Sequence, residues 1–176
     1  TAKDASGTAL PITGAPEFSF HRLGGIVVNV VTGKSVTSDD FPHGSRTNGM
    51  FGIWDKPAFA VIDEATDMED ALPRDLSDLE ERELHNVGTD TQNRYLTGDA
   101  IDWNTKLGWY FFFNVNSEMG LNNLTIANNQ VLTVTVSPAP PKTGAATDAC
   151  SDTPVARLLG GDPITGLPNG LLGRTD

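Results

Sequence analysis

A chain of 176 residues with 12 basic and 23 acidic side chains carries a net charge of −11, which repels phosphate backbones and excludes nucleic acid and anionic membranes as partners. No apolar run approaches the ~20 residues of a membrane-spanning helix, so no membrane insertion is expected. Hydrophobic residues, at 38%, suffice for a modest core, and 18 Gly with 11 Pro favour many turns and short strands over long helices.

In chain order, residues 1–16 are small, polar and proline-bearing, an extended lead-in. The opening at Thr1 rather than Met is what a processed or excised piece would show. Phe18 and Phe20 alternate with polar neighbours, and Gly24-Gly25 then turns into the β-branched run Ile26–Val31, which predicts a buried strand. Asp39 to Asn48 is a polar loop, and Met50–Trp54 and Ala58–Ile62 predict two further strands. Ten carboxylates fall between Asp63 and Glu83 against only Arg74 and Arg82, a local charge of −8. Leu76, Leu79, Leu84 and Val87 lie near helical spacing behind Pro73, so the one helix of the chain is expected over 73–87, inside a solvent-facing acidic insertion.

Beyond Gly88 the pattern returns to strand. Gly108–Val115 is the most apolar stretch, and Gln130–Val136 alternates cleanly, one face dry and one wet. Pro138-Ala139-Pro140-Pro141 ends that strand, and the Gly/Pro-rich tail from Gly160 is expected to hold little regular structure. The fold class is therefore mainly β, with a lead-in at 1–16, a β-rich region at 17–166 and a flexible tail at 167–176. An apolar-Thr-Gly element recurs at Pro11–Gly14, Val30–Gly33, Tyr95–Gly98 and Pro163–Gly166. Thr suits a strand end and Gly a tight turn, so the echo favours a radial or stacked repeat such as a propeller.

Three stretches together resemble a known family. Gly24-Gly25-Ile26-Val27-Val28-Asn29-Val30-Val31-Thr32-Gly33-Lys34 precedes Gly52-Ile53-Trp54-Asp55-Lys56-Pro57. Ile101-Asp102-Trp103-Asn104-Thr105-Lys106-Leu107-Gly108-Trp109-Tyr110 follows. Asp148-Ala149-Cys150-Ser151 then precedes Asp162-Pro163-Ile164-Thr165-Gly166. The order and spacing over residues 21–166 resemble the C-terminal β-propeller of the PilC/PilY family, large proteins of the type IV pilus tip. Val31 and Leu107 depart from that family's Gly and Arg, and Thr153–Arg157 lacks its aromatic.

The resemblance implies partial β-propeller-like blades of short antiparallel strands. At roughly 40–50 residues per blade the chain supplies three to four, leaving open edges to be covered. It also implies an extracellular or cell-surface location reached through the periplasm, and an adhesion or assembly role. The implied partners are pilus proteins or another segment of the same precursor. The family's propeller is associated with calcium, held in a loop of alternating Asp and Asn. That motif is absent; the nearest candidate ligands, Asp63, Asp67 and Asp70, lack the glycine that bends such a loop.

Trp54, Trp103 and Trp109 are expected as core anchors, with an exposed platform for sugar or peptide as the alternative. With Asp55 and Cys150 they are the structural and interaction candidates. Cys150 has no second cysteine in the chain; it is a plain thiol or pairs outside this sequence. Glu80, Glu81 and Glu83 are candidates for docking a basic partner, with a plain solvated face as the alternative. His21, His43 and His85 lack metal or general-base spacing and are expected on the surface or in turns. No nucleophile elbow, phosphate loop or dinucleotide fingerprint is present, so the expectation is a non-enzymatic interaction module. A second possibility is a self-associating subunit of an extracellular filament or coat, assembling through β edges and termini. A remnant of a propeller dehydrogenase ranks last, for want of a cofactor motif.

Overall fold

The computed structural model describes residues 2–37, 40, 47–57, 73, 75–138 and 154–168. Eleven strands follow in chain order: β1 (Glu17–Phe20), β2 (Ile26–Val31), β3 (Gly49–Asp55), β4 (Glu80–Glu81), β5 (Glu83–Val87), β6 (Asp90–Thr97), β7 (Gly108–Phe112), β8 (Met119–Gly120), β9 (Thr125–Ala127), β10 (Gln130–Ser137) and β11 (Val155–Gly161). The fold is mainly β, in several sheets of which none closes.

The first sheet has the order β1-β2-β3-β7-β4, antiparallel except for β4, which runs parallel to β7. Strand period sorts its residues: Val31, Met50, Trp109 and Phe111 face the second sheet and pack with Leu124, Val131 and Leu159. The opposite face packs Phe51 and Tyr110 under Leu10 and Leu79. In the second sheet β10 pairs β11 along one side, with β8 and β9 sharing the other. The two sheets are stitched where Gly120 N–H donates to Thr32 C=O at 3.0 Å. A hairpin, β5–β6, fills the connection between β4 and β7.

The lead-in is fastened rather than loose. Gly33 N–H donates to Pro11 C=O at 2.9 Å, and Thr13 Oγ1 donates back to Gly33 C=O at 2.9 Å. Two of the Thr-Gly echoes are therefore in direct contact. At Gly33 glycine is needed for this close approach, since an added Cβ would lie 2.3 Å from Gly120 O. At Gly166, with φ +74°, the positive-φ turn expected from the echo combines with such a contact.

Two expectations fail. No helix spans 73–87: a 3-10 turn covers Leu76–Asp78, capped by Asp75, and β4 and β5 follow. Leu76 and Leu79 are three apart, which suits one 3-10 turn, whereas the spacing from Leu79 to Leu84 breaks helical register. Nor is this stretch wholly solvent-facing, because Leu79 and Arg82 are 5% and 1% exposed. The start of the Gly/Pro-rich stretch from Gly160 is also more regular than its composition implies: β11 runs to Gly161 and ends in a turn built on Asp162, and residues 169–176 lie outside the described residues. There Asp162 Oδ1 accepts N–H bonds from Ile164 and Thr165, each at 2.8 Å. Ala58–Ile62, His43, Asp63, Asp67, Asp70 and Cys150 lie outside the described residues.

Candidate functional site

The stretches that carry the family resemblance meet at Trp109. Antiparallel pairing of β3 with β7 sets Gly52 opposite Trp109 and Ile53 opposite Gly108. A Cβ on Gly52 would lie 2.3 Å from Trp109 Nε1, and one on Gly166 would lie 2.6 Å from the same indole. The ring thus occupies a slot that only two glycines leave open, one from Gly-Ile-Trp-Asp and one from the Asp162–Gly166 turn.

Trp54 and Trp103 form a second knot. Their rings meet edge-to-face at 5.4 Å, and Trp54 Nε1 donates to Gly24 C=O at 2.9 Å, fixing the β1–β2 turn. His21 lies against both, 4.4 Å from each ring; it opens the β1–β2 turn as a turn histidine, its C=O accepting from Gly24 N–H at 2.9 Å, but at 4% exposure it is not a surface residue. Burial among apolar rings holds its imidazole below the ordinary histidine pKa, aided by the nearby Arg22 charge. The three tryptophans are 2%, 9% and 1% exposed, which removes the aromatic-platform alternative. Asp55 is exposed beside them, and the Lys56 ammonium lies 5.5 Å over Trp54.

The acidic residues line the far edge of the first sheet. Glu80 is half-buried and Glu81 exposed, paired through the backbone with Trp109 and Tyr110. Glu83 is exposed and lies 3.2 Å from His85. Between them Arg82 turns inward, its Nε donating to Thr165 C=O at 2.8 Å and its Nη1 to Asp99 C=O at 2.6 Å. Among the described residues no carboxylate hydrogen-bonds this guanidinium; two carbonyl dipoles hold it, the Glu80 and Asp99 charges lie nearby, and Nη2 is buried without a partner.

On the outer face of that sheet lies a cavity of about 580 Å³, lined by Ile12, Val30, Phe51, Ile53, Leu76 and Leu79, with Lys3, Asp4 and Asp75. Its size and its mostly apolar lining suit an inserted side chain or a small apolar group. No sequence motif signals it directly. The alternation of Val30 with its neighbours and of Phe51 with Ile53 marks the floor, but the covering Leu76 and Leu79 were expected on a helix.

A buried polar cluster was likewise hidden in the sequence. Glu118 accepts two Arg94 bonds at 2.7 Å and one from Thr135 Oγ1, with both ionic side chains at most 1% exposed. Arg94 Nη1 also donates to Asn114 Oδ1 at 3.2 Å, and Asn48 Nδ2 to Glu118 C=O at 3.0 Å. The partners are 17 and 24 residues apart in sequence, so no local motif announces them. A carboxylate held by a bidentate guanidinium and a threonine hydroxyl links three segments of the chain, and the cluster is a structural cross-brace. Among the described residues no group of three or more His, Cys, Asp or Glu is placed to hold a metal ion.

No family model, curated protein or solved structure matches the chain.

Proposed function

We propose that this chain is a non-enzymatic, extracellular protein–protein interaction module of the PilC/PilY propeller type, its sheets serving as propeller-like blades. The observation that carries this reading is the meeting of the resembling stretches at Trp109, where Gly52 and Gly166 leave room for one indole. Two of the resembling stretches each place a glycine against the tryptophan of the third, which supports the reading.

The docking surface is the acidic edge with the adjoining cavity. Asp75, Leu76 and Leu79 line the cavity, and Glu80, Glu81 and Glu83 continue the same stretch. A partner that inserts an apolar side chain and flanks it with Lys or Arg would satisfy both features. The pilus proteins of the same source are the partners to test, by biosensor binding of the whole chain to purified pili. Binding with an on-rate that falls as salt rises is expected, because exposed charges steer encounter. Changing Glu80, Glu81 and Glu83 together to Gln should slow association without altering the fold. No binding of the parent chain to any pilus component would refute the pilus assignment.

A further inference from the structure

β1 is the outermost strand of the five-stranded sheet, paired with β2 on one side and with no strand on the other among the described residues. Around it lies exposed apolar surface: Phe20 is 83% exposed, Phe18 59% and Leu23 53%. The two phenylalanines share one face, their rings edge-to-face at 6.5 Å, beside Ile26 and Val28 on the neighbouring strand. Edge strands are commonly guarded by lysine, proline or inward charge, and within β1 the only charge is Glu17.

The strand is self-complementary. Phe18-Ser19-Phe20 reads the same in both directions, so antiparallel pairing centred on Ser19 sets each Phe18 opposite the other copy's Phe20. The ends carry opposite charges, Glu17 at one and exposed Arg22 just past the other. Antiparallel pairing brings each Glu17 towards the other copy's Arg22, whereas parallel pairing would set like against like. The sheet's other edge, β4, is two residues long and both are glutamate. A head-to-tail contact of β1 with β4 would press carboxylates against phenylalanine, at a desolvation cost.

We propose that β1 is a self-association edge: two copies pair antiparallel about a two-fold axis at Ser19, joining two five-stranded sheets into one. The contact is isologous and closes at two copies, so it does not build a filament. With about 150–250 Å² per aromatic side chain, the exposed parts of Phe18, Phe20 and Leu23 offer on the order of 400 Å² per copy. With the strand backbone added, this reaches the low end of specific interfaces, so association in the micromolar range is expected. The proposal does not rest on the pilus partner: self-pairing uses the backbone edge of β1, whereas the carboxylates of the docking surface lie at the β4 edge.

The test is sedimentation of the whole chain across a concentration series, with cross-linking in a Cys150→Ser background. The parent mass should rise from one chain to two and stop there. Phe20→Lys, at a mostly exposed position, should fold normally and need at least about tenfold more protein to dimerise. Ser19→Cys should cross-link to its own copy under mild oxidation, because facing residues lie within disulfide reach. Glu17→Cys should not, because the two copies of that position stand roughly 13 Å apart along the pair. A single-chain mass throughout, open-ended polymers, or a dimer indifferent to Phe20→Lys would overturn the proposal. So would cross-linking at Glu17→Cys in place of Ser19→Cys, or capture of Ser19→Cys by a different protein with no self-cross-link.

Discussion

Trp109 shows how much a single residue can hold. Replacing it with Ala should destabilise the fold by roughly 3–5 kcal/mol, as expected for a large aromatic removed from a packed site. Gly166→Ala should cost about 1–3 kcal/mol through its left-handed backbone alone, with the clash against the indole in addition. Denaturant melts of both variants check these values, and near-parental stability of Trp109→Ala would deny it the anchoring role. The Glu118–Arg94 pair should behave differently. Glu118→Gln leaves a buried guanidinium without its counter-charge and should cost about 3–5 kcal/mol, whereas the double change Glu118→Leu with Arg94→Met should recover much of that loss. The tryptophans could be anticipated as core because large aromatics in a small β-rich chain have few other places to go. The burial of His21 could not, because it depends on Trp54 and Trp103 arriving from segments 33 and 82 residues away.

At the scale of elements, alternation and β-branching located β1, β2, β3 and β10 closely, since period-two patterns report directly on which face is dry, and β7 showed as the most apolar run. The stretch 73–87 misled because two leucines three apart fit a 3-10 turn as well as an α-helix. The deciding force there is tertiary: β7 offers an open edge to β4, and the interior offers carbonyls to Arg82. The β9–β10 turn carries a local signal. Asn128 and Asn129, with φ of 50° and 58°, form the two-residue turn between β9 and β10. An Asn-Asn pair before an alternating run is a recognisable hairpin signature. The far-ultraviolet circular dichroism spectrum should show strand and almost no helix; a helical spectrum would contradict the conversion of 73–87 into turn and strands.

For the whole molecule, charge placement predicts two acid transitions. His21 has a depressed pKa when folded, so the unfolded chain binds the extra proton first. Stability should therefore fall as pH drops below about 6.5, the ordinary histidine value. His21→Phe should remove that step. The second step comes from aspartates held ionised in loops. Hydrogen bonds from Ser6 to Asp4, from Ser77 to Asp75 and from the Asn104 N–H to Asp102 lower all three pKa values. Their contribution is present above roughly pH 4 and is lost as pH falls through the lowered folded values. Melting temperatures measured from pH 7.5 to 2.5 should show both steps in the parent and only the lower one in His21→Phe. A curve flat between pH 7 and 5 would mean that the imidazole is not sequestered. The mainly β class and the modest core were legible from composition. The arrangement of sheets was not, because the stitching bonds at Thr32, Gly33 and Gly120 link distant backbone groups that no side-chain pattern encodes.

Arg82 has a consequence for motion. β4 pairs with β7 over only two residues, and Arg82 N–H adds one bond to Tyr110 C=O at 2.7 Å, so this edge alone would fray readily. The guanidinium ties it to Thr165 and Asp99, on two other segments. Opening the edge therefore means releasing the turn after β11 and the exit of β6 in the same event. In native-state hydrogen exchange the amides of Arg82 and Gly166 should share one opening free energy, well above that of a fraying edge. Arg82→Gln should uncouple them, with the Arg82-position amide exchanging at the rate of a loose strand end while protection in β10 is unchanged.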